Sequence, residues 1–365
     1  GNVTLELNKE FYKIVITDGI GSRSFDKLPE GKYTYSATYK GTDKISRAVD
    51  TGVFEVMPVD YNVILNAPDV KMIYHDGTRF TATLTDEKGN PIRDAAIEIT
   101  INGRSYDKIT DEKGGVSLGL NLDSGIYSVV VKFKGLPNYS PITKHANVTI
   151  EPTVKGLDVV KMFRNSTQYY AIFTDSQGNF LKNKNVQFNI NGVFYTKTTN
   201  DKGIAMMGIN LNPGKYIITA KNLVTGEQSS NIITVKSLIV QKDLTKYYLN
   251  ASRFQTTIYN KDGSLAVNKE VTFNINGVFY HRTTDSNGVA SLGISLRPGE
   301  YIITTMFDGL AIGNKVTVLP TLVTKDLSMK YLDGSNFTAL TLDGQGKPLA
   351  NQNITFNVNG VFYNR

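Results

Sequence analysis

Side chains that could carry catalysis are few in this chain. Its 365 residues include three histidines, no cysteine and no tryptophan. His75, His145 and His281 stand beside turns or strand ends, and none has a counterpart at an equivalent place elsewhere in the chain. A Ser-His-Asp arrangement is therefore not supported, and the lack of cysteine excludes thiol nucleophiles, thiolate metal ligands and disulfides. The sequence predicts a protein that is not an enzyme and has no catalytic or cofactor-binding residues.

Aspartates in glycine-containing turns are the candidates for metal binding. They are Asp86, Asp111, Asp175, Asp201, Asp285 and Asp343. None has the alternating acidic spacing and closing glutamate of a dedicated calcium loop. Hairpin chemistry accounts for aspartate at these places. We therefore expect no metal-binding residues and no cofactor, with structural calcium at junctions between repeats as the less favoured alternative.

A lysine and an asparagine at recurring places could form a covalent brace. The candidates for such an intramolecular isopeptide bond are Lys161 and Lys246 in a first strand, and Asn231 and Asn314 just before a last strand. The lysine position holds Met72 and Met329 in the other repeats, and no carboxylate recurs in the middle strands to catalyse the step. The sequence therefore allows an isopeptide bond in two repeats at most.

Asn-x-Ser/Thr triplets are the commonest type of candidate site. Three of them, at Asn165, Asn250 and Asn336, fall in or beside the polar turn between the first two strands. That recurring exposed place predicts N-glycosylation in an exported protein. Asn138 and Asn147 are further candidates. Strands rich in asparagine and threonine also form such triplets by chance, which is the alternative reading.

The elements that position these side chains belong to a repeat. Asn-Gly pairs begin at residues 102, 191, 276 and 359, so the period is 89, then 85, then 83 residues. A period of this length repeats a whole small domain. Short runs rich in β-branched and aromatic residues, such as 271–275 and 301–304, alternate with period two and end at turn residues. We expect about seven strands in each repeat, hairpins at the Asn-Gly pairs, and no helix.

A third signature indicates the fold more closely. The pattern Leu-x-x-Gly-x-Tyr recurs at 28–33, 122–127, 211–216 and 296–301. It is typical of a tyrosine corner, in which the phenol bonds back to nearby backbone at the start of a late strand. The sequence therefore predicts an all-β protein of tandem immunoglobulin-like β-sandwich domains arranged as an elongated rod.

The phase of the repeat predicts the domain boundaries. Residues 59–152, 153–236 and 237–319 are each expected to form a complete domain. Residues 1–58 correspond to the C-terminal part of a domain, and residues 320–365 correspond to the N-terminal part. We expect a longer protein to continue on both sides of the chain, and the short linkers predict a stiff array.

Several motifs carry a resemblance to a known family. They include Asn-Gly-Val-Phe-Tyr, the run 347–351 (Lys-Pro-Leu-Ala-Asn), the run 284–288 (Thr-Asp-Ser-Asn-Gly) and Leu-x-Pro-Gly-x-Tyr-x-Ile-Thr. Together they resemble the tandem immunoglobulin-like repeats of adhesin-like surface proteins from methanogenic archaea and, more distantly, those of bacterial invasin-type adhesins. The resemblance implies an extracellular, cell-surface glycoprotein whose repeats form a stalk.

The predicted function is a non-enzymatic adhesin stalk that projects a binding region for cell attachment. Its partners would be other cell surfaces or glycans, bound through regions outside this segment, with lateral or end-to-end self-association possible. We expect no nucleic-acid partner, because the net charge of +7 comes from scattered Lys and Arg, and no membrane span. Two alternatives stay open. One is a glycan- or partner-binding module within the repeats, best sought in 59–152, where loop 134–141 departs most from the pattern. The other is a structural subunit of an extracellular filament or viral fibre.

Overall fold

A computed structural model describes residues 1–57 and 61–365, and these residues form β-strands joined by turns, without a helix. Accordingly, none of the described residues belongs to a helix that could cross a membrane. The chain divides into two compact units, Gly1–Pro152 and Thr153–Arg365, which are described in turn. The predicted boundary between residues 58 and 59 lies outside the described residues.

The first unit begins with an antiparallel sheet of four strands, in the order β2-β1-β3-β4. These strands are β1 (Asn2–Leu7), β2 (Glu10–Val15), β3 (Gly31–Tyr39) and β4 (Ala48–Val56). A sandwich of eight strands follows, with sheets ordered β10-β7-β5 and β6-β12-β11-β8-β9. Its strands are β5 (Val63–Asn66), β6 (Val70–Ile73), β7 (Arg79–Asp86), β8 (Ala96–Ile101), β9 (Arg104–Ile109), β10 (Gly115–Gly119), β11 (Gly125–Phe133) and β12 (Ile142–Glu151). We call it the first sandwich.

The second unit contains two more sandwiches of the same strand order. The second sandwich comprises β13 (Val154–Gly156), β14 (Val159–Met162), β15 (Gln168–Phe173), β16 (Asn185–Ile190), β17 (Val193–Thr198), β18 (Ile204–Gly208), β19 (Gly214–Lys221) and β20 (Gln228–Lys236). The third comprises β21 (Ile239–Gln241), β22 (Leu244–Tyr247), β23 (Arg253–Ile258), β24 (Glu270–Ile275), β25 (Val278–Thr283), β26 (Val289–Gly293), β27 (Gly299–Phe307) and β28 (Leu310–Leu319). Two ladders follow, between β29 (Leu322–Thr324) and β30 (Ala339–Thr341), and between β31 (Thr355–Val358) and β32 (Val361–Asn364).

Period-two alternation explains why these runs become the two faces of a sandwich. In β7, Phe80, Ala82 and Leu84 are buried while the residues between them are exposed. Alternate side chains of a strand point to opposite faces, so one face supplies the core. Phe188 and Phe273 occupy the same position in the second and third sandwiches and are fully buried. The predicted all-β, immunoglobulin-like class is confirmed.

Two of the predicted turns are also confirmed. In the Asn-Gly hairpins both residues take positive φ, for example 54° at Asn191 and 77° at Gly192, as a two-residue turn of this type requires. The tyrosine corner recurs as well. In each sandwich a phenol donates a hydrogen bond of 2.8 Å to the carbonyl four residues earlier, in the pairs Tyr127–Asp123, Tyr216–Asn212 and Tyr301–Arg297.

Each complete repeat has eight strands rather than about seven, because the first strand changes sheets midway. An aspartate marks the crossing in every sandwich. Its Oδ1 accepts a hydrogen bond from a backbone N–H of the last strand, at 2.7 Å for Asp69, 2.8 Å for Asp158 and 2.9 Å for Asp243. The segment beyond the aspartate then pairs in parallel with that last strand.

Candidate functional site

Two buried lysines lie on the segment that follows the crossing aspartate. Lys161 is only 5% exposed, and its Nζ donates hydrogen bonds to the carbonyls of Ile209, at 2.7 Å, and Thr167, at 3.1 Å. Lys246 makes the same two bonds in the third sandwich, at 2.7 and 3.2 Å. Burial lowers the pKa of both ammonium groups below the usual value for lysine, since the charged form loses water. Each lysine therefore links, through these two hydrogen bonds, the turn that follows its own strand to a neighbouring loop.

The asparagines predicted to pair with these lysines have other partners. Asn231 Oδ1 accepts a hydrogen bond from the Tyr169 phenol at 2.8 Å, and Asn314 Nδ2 donates to the crossing Asp243 at 2.7 Å. Lys161 lies opposite Val235 in the ladder, four residues beyond Asn231. The structure thus does not bring Lys161 and Asn231 together, and the isopeptide bond stays a prediction.

The candidate glycosylation sites fall into two groups by exposure. Asn147 and Asn336 are exposed, whereas Asn138, Asn165 and Asn250 are half-buried. Asn165 and Asn250 occupy the same turn of consecutive sandwiches, where each donates a hydrogen bond across the junction to the following repeat. Glycosylation stays a prediction at all five sites.

The turn aspartates use their carboxylates to close their own loops. Asp86 Oδ1 accepts the backbone N–H groups of Lys88, at 2.9 Å, and Asn90, at 2.8 Å. Hydrogen bonds, led by that of the Asn90 amide, lower the pKa of Asp86. In the second set of turns Asn200, rather than Asp201, occupies the corresponding place. Within residues 1–57 and 61–365 no three His, Asp or Glu side chains gather as a metal site would need. Calcium binding stays a prediction.

The three histidines lie on different elements. His75 stacks on Tyr74 with 3.9 Å between ring centroids, and its Nε2 lies 2.9 Å from Asn121 Oδ1. His281 Nδ1 lies 3.3 Å from a carboxylate oxygen of Glu270 on the neighbouring strand. His145 is exposed on β12. The structure brings no two of them together.

One buried polar cluster escaped the sequence analysis. Glu227 is only 4% exposed, and its Oε2 accepts hydrogen bonds from the backbone N–H and the hydroxyl of Thr153, at 2.5 and 2.6 Å. Oε1 is buried without a partner. Asn222 beside it donates to the Thr174 carbonyl at 2.8 Å. The only signal in the sequence is length: six residues join β19 to β20, against two between β27 and β28.

A polar groove lies on the first sandwich. Its lining includes Arg104, Tyr106, Asn121, Asp123 and Tyr127. The place of Arg104 is held by valine, at positions 193 and 278, in the next two repeats. This is the repeat in which the sequence allows a glycan-binding module, and that alternative stays a prediction.

Comparisons with known proteins support the adhesin resemblance. No protein-family model matches the chain. The chain is 21% identical to the inverse autotransporter adhesin YeeJ of Escherichia coli (strain K12) in an alignment of 362 residues, which covers 83% of this chain and 15% of the adhesin. The chain therefore spans only 15% of the length of this relative. The prediction of an adhesin-like region of immunoglobulin-type repeats is confirmed, while the archaeal part of the resemblance stays a prediction.

Solved structures that are similar to the chain include repeat proteins. One is a calcium-stabilised adhesin with which an Antarctic bacterium reaches out and binds ice, at 16% identity and a TM-score of 0.23, covering 87% of this chain and 89% of that one. Another is the I9–I11 tandem of titin, at 13% identity and a TM-score of 0.25, covering 71% of this chain and 99% of that one.

Proposed function

We propose that this chain is a non-enzymatic stalk segment of an extracellular cell-surface adhesin, and that its repeats bear load while a region elsewhere in the protein binds the target. The observation that carries the proposal is the pairing of the first and last strands in every complete repeat. β6 pairs in parallel with β12, β14 with β20 and β22 with β28.

Parallel pairing of these strands suits a domain that is pulled through its two ends. A force that draws the chain ends apart pulls β22 and β28 in opposite directions along their common axis. Their bonds, spread over the register from Leu244–Val316 to Tyr247–Leu319, then carry the load together. Asp243 adds a further bond to the same last strand, to Lys315 N. Such a ladder must break as a whole, so the repeat resists extension.

The similarity to YeeJ supports the adhesin part of the proposal, since YeeJ is named as an adhesin. On this view the glycans or cell surfaces recognised by the whole protein contact regions outside the chain, which is itself exposed outside the cell. The repeats contribute reach and mechanical resistance.

Single-molecule force spectroscopy of the whole chain, held at its two ends, tests the proposal. We expect separate unfolding events for the three sandwiches, each releasing about 25–30 nm of chain, given about 3.4 Å per extended residue. Gradual extension at low force, without such events, would contradict a load-bearing role.

A second pulling geometry provides the control. Attachment points at Leu249 and Leu319 lie at adjacent ends of β22 and β28, so force applied there breaks the same bonds one after another. We expect the third sandwich to open at a clearly lower force in this geometry. Equal forces in the two geometries would mean that the parallel ladder does not carry the load.

A further inference from the structure

An asparagine lies in the turn between β14 and β15, and another lies in the equivalent turn between β22 and β23. Each uses its carboxamide oxygen and its carboxamide nitrogen for different hydrogen bonds. Asn165 Oδ1 accepts the backbone N–H of Thr167 at 2.8 Å, and Asn250 Oδ1 accepts that of Ser252 at 2.8 Å. These bonds close the turn and fix the carboxamide plane. The Nδ2 group of each asparagine is thereby directed away from its own turn.

That Nδ2 group bonds the following repeat in both cases. Asn165 Nδ2 donates to the carbonyl of Lys261 at 2.7 Å, and Asn250 Nδ2 donates to the carbonyl of Gly344. The two asparagines are 85 residues apart and the two acceptors are 83 residues apart, so both ends of the bond recur with the repeat. The same contact thus forms at two successive junctions of the second unit.

The acceptor is a carbonyl at the tip of a tight hairpin. In the third sandwich this hairpin closes through a bond of 2.9 Å from Gly263 N to Asn260 O, and its equivalent closes through a bond of 3.0 Å from Gly346 N to Asp343 O. The closing bonds use the first residue of each hairpin, so the carbonyl of the next residue faces the preceding repeat. A donor held by its own turn therefore meets an acceptor held by its own hairpin.

The two junctions differ in what surrounds this bond. At the first, Arg164 also donates to the Asp308 carbonyl at 3.0 Å, and the Lys261 ammonium lies 2.9 Å from the Asp308 carboxylate. At the second, Leu249 takes the place of Arg164 and is 75% exposed. Because the surrounding charges change while the amide bond persists, the amide is the common element of the junction.

We propose that Asn165 and Asn250 are locking residues, which hold each repeat in a fixed orientation on the next by bonding its hairpin tip. The partner of this surface is the following repeat of the same array. The stalk function is not needed for the inference. Where aspartate stands at the same position, as at Asp76 and Asp333, the turn remains closed through bonds to Thr78 N and Ser335 N, but the donor is missing.

Distance measurements between spin labels test this proposal directly. Because the chain has no cysteine, Thr196→Cys and His281→Cys introduce two unique labelling sites at equivalent places on β17 and β25. Double electron–electron resonance on the whole labelled chain then reports the orientation of the second sandwich on the third. We expect one narrow distance peak in the otherwise unchanged protein.

The variant Asn165→Asp keeps the turn-closing acceptor and removes the donor. We expect the ratio of the narrow peak to the broad remainder of the distribution to fall roughly 2- to 10-fold, as loss of one hydrogen bond allows, with the melting temperature of the second sandwich unchanged. Asn185→Asp, at the exposed first residue of β16, makes the same charge change away from the junction and should leave the peak unaltered. An unchanged distribution in Asn165→Asp would overturn the proposal, and so would equal broadening in Asn185→Asp.

The neighbouring charges need a separate variant. Asp308→Asn removes the carboxylate that Lys261 and Arg164 approach and leaves the backbone carbonyls in place. If the Asn165 side-chain amide holds the junction, this variant keeps most of the narrow peak. If it broadens the distribution as much as Asn165→Asp does, the junction is held by charge and the proposal is wrong.

Discussion

The first sandwich and the two sandwiches of the second unit share one fold and differ in the side chains around one turn. In the first, Met72 is buried where Lys161 and Lys246 are buried in the others. Four residues later, Asp76 stands where the others have Asn165 and Asn250. In the other two sandwiches an ammonium group thus replaces the apolar side chain, and a carboxamide replaces the carboxylate. Both replacements donate hydrogen bonds.

This difference shows which features the fold requires and which it leaves open. The crossing aspartate and the tyrosine corner occur in all three sandwiches, because they hold backbone that the topology leaves without partners. The position under the turn needs only a side chain of suitable length. Methionine fills it by packing, and lysine fills it while bonding two carbonyls.

The largest change that we predict concerns the buried carboxylate found only in the second sandwich. Glu227→Ala leaves the N–H of Thr153 buried without its acceptor, while the Thr153 hydroxyl keeps Thr225 Oγ1 as a partner at 2.9 Å. We expect the free energy of opening of the β20 amides to fall by about 2–3 kcal/mol. Hydrogen exchange measures it on the whole chain.

The third sandwich supplies an internal control for this variant. Amides of β28 should exchange as before, because the apolar Leu310 occupies the place of Glu227 there. Glu227→Gln keeps an acceptor for Thr153 and should cost clearly less than the alanine variant. Equal losses in the two variants would show that shape, rather than the acceptor, is what the cluster contributes.

The next prediction tests the exchange of methionine for lysine. Burial lowers the folded-state pKa of Lys161 and Lys246, so just below pH 10.5 the unfolded chain holds more protons than the folded chain. Folding stability contributed by these groups therefore rises with pH up to about 10.5. We expect the difference in melting temperature between the natural chain and the Lys161→Met/Lys246→Met variant to shift in favour of the natural chain from pH 7 to pH 10, by about 4–8 °C per kcal/mol for a domain of this size.

Comparing the two proteins cancels the contribution of other titrating groups to the pH dependence, because both chains carry the same tyrosines. Scanning calorimetry on the two chains gives the difference at each pH. A difference that stays constant, or that shrinks as pH rises, would show that the lysines are not stabilised in the neutral form by their burial.

The part of this fold that could be predicted from the sequence is the part that depends on short-range sequence patterns. Alternation in runs such as 271–275, positive-φ turns at Asn-Gly and the tyrosine corner are short-range features, and the structure has all of them. The change of sheet at Asp158 was not predicted, because it depends on a bond to Ile232, 74 residues away. Sequence spacing does not reveal that a strand will leave one sheet for another.

The candidate site, too, could be predicted only as far as its residues recur in the sequence. Equivalent positions identified Lys161, Asn165 and Asn231 as recurring residues, but not their partners. The partners are backbone carbonyls and a phenol, which carry no sequence signal of their own. Glu227 was overlooked because it has no counterpart in the other repeats, so a search based on recurrence could not find it.

The smallest predicted effect concerns access to the candidate glycosylation sites. In the folded chain the Asn165 amide is bonded across the junction, and the Thr167 hydroxyl of the same triplet donates to Asn165 Oδ1 at 2.5 Å. Both groups that a glycosyl-transferring enzyme must engage are therefore occupied. Asn147 and Asn336 are exposed. With purified folded chain, an oligosaccharyltransferase and a lipid-linked sugar donor, we expect initial modification at Asn336 to be about threefold faster than at Asn165.

A threefold ratio of rates corresponds to only about 0.6 kcal/mol. The enzyme's own preference for one triplet over another could produce a ratio of this size, so the rates on unfolded chain serve as the reference. The same reaction on denatured chain should bring the two rates together, as measured by site occupancy in mass spectrometry. In the folded Asn250→Asp variant the rate at Asn165 should not change, because each junction has its own amide bond. Equal rates at Asn165 and Asn336 in the folded protein would mean that the junction opens too readily to protect its asparagine.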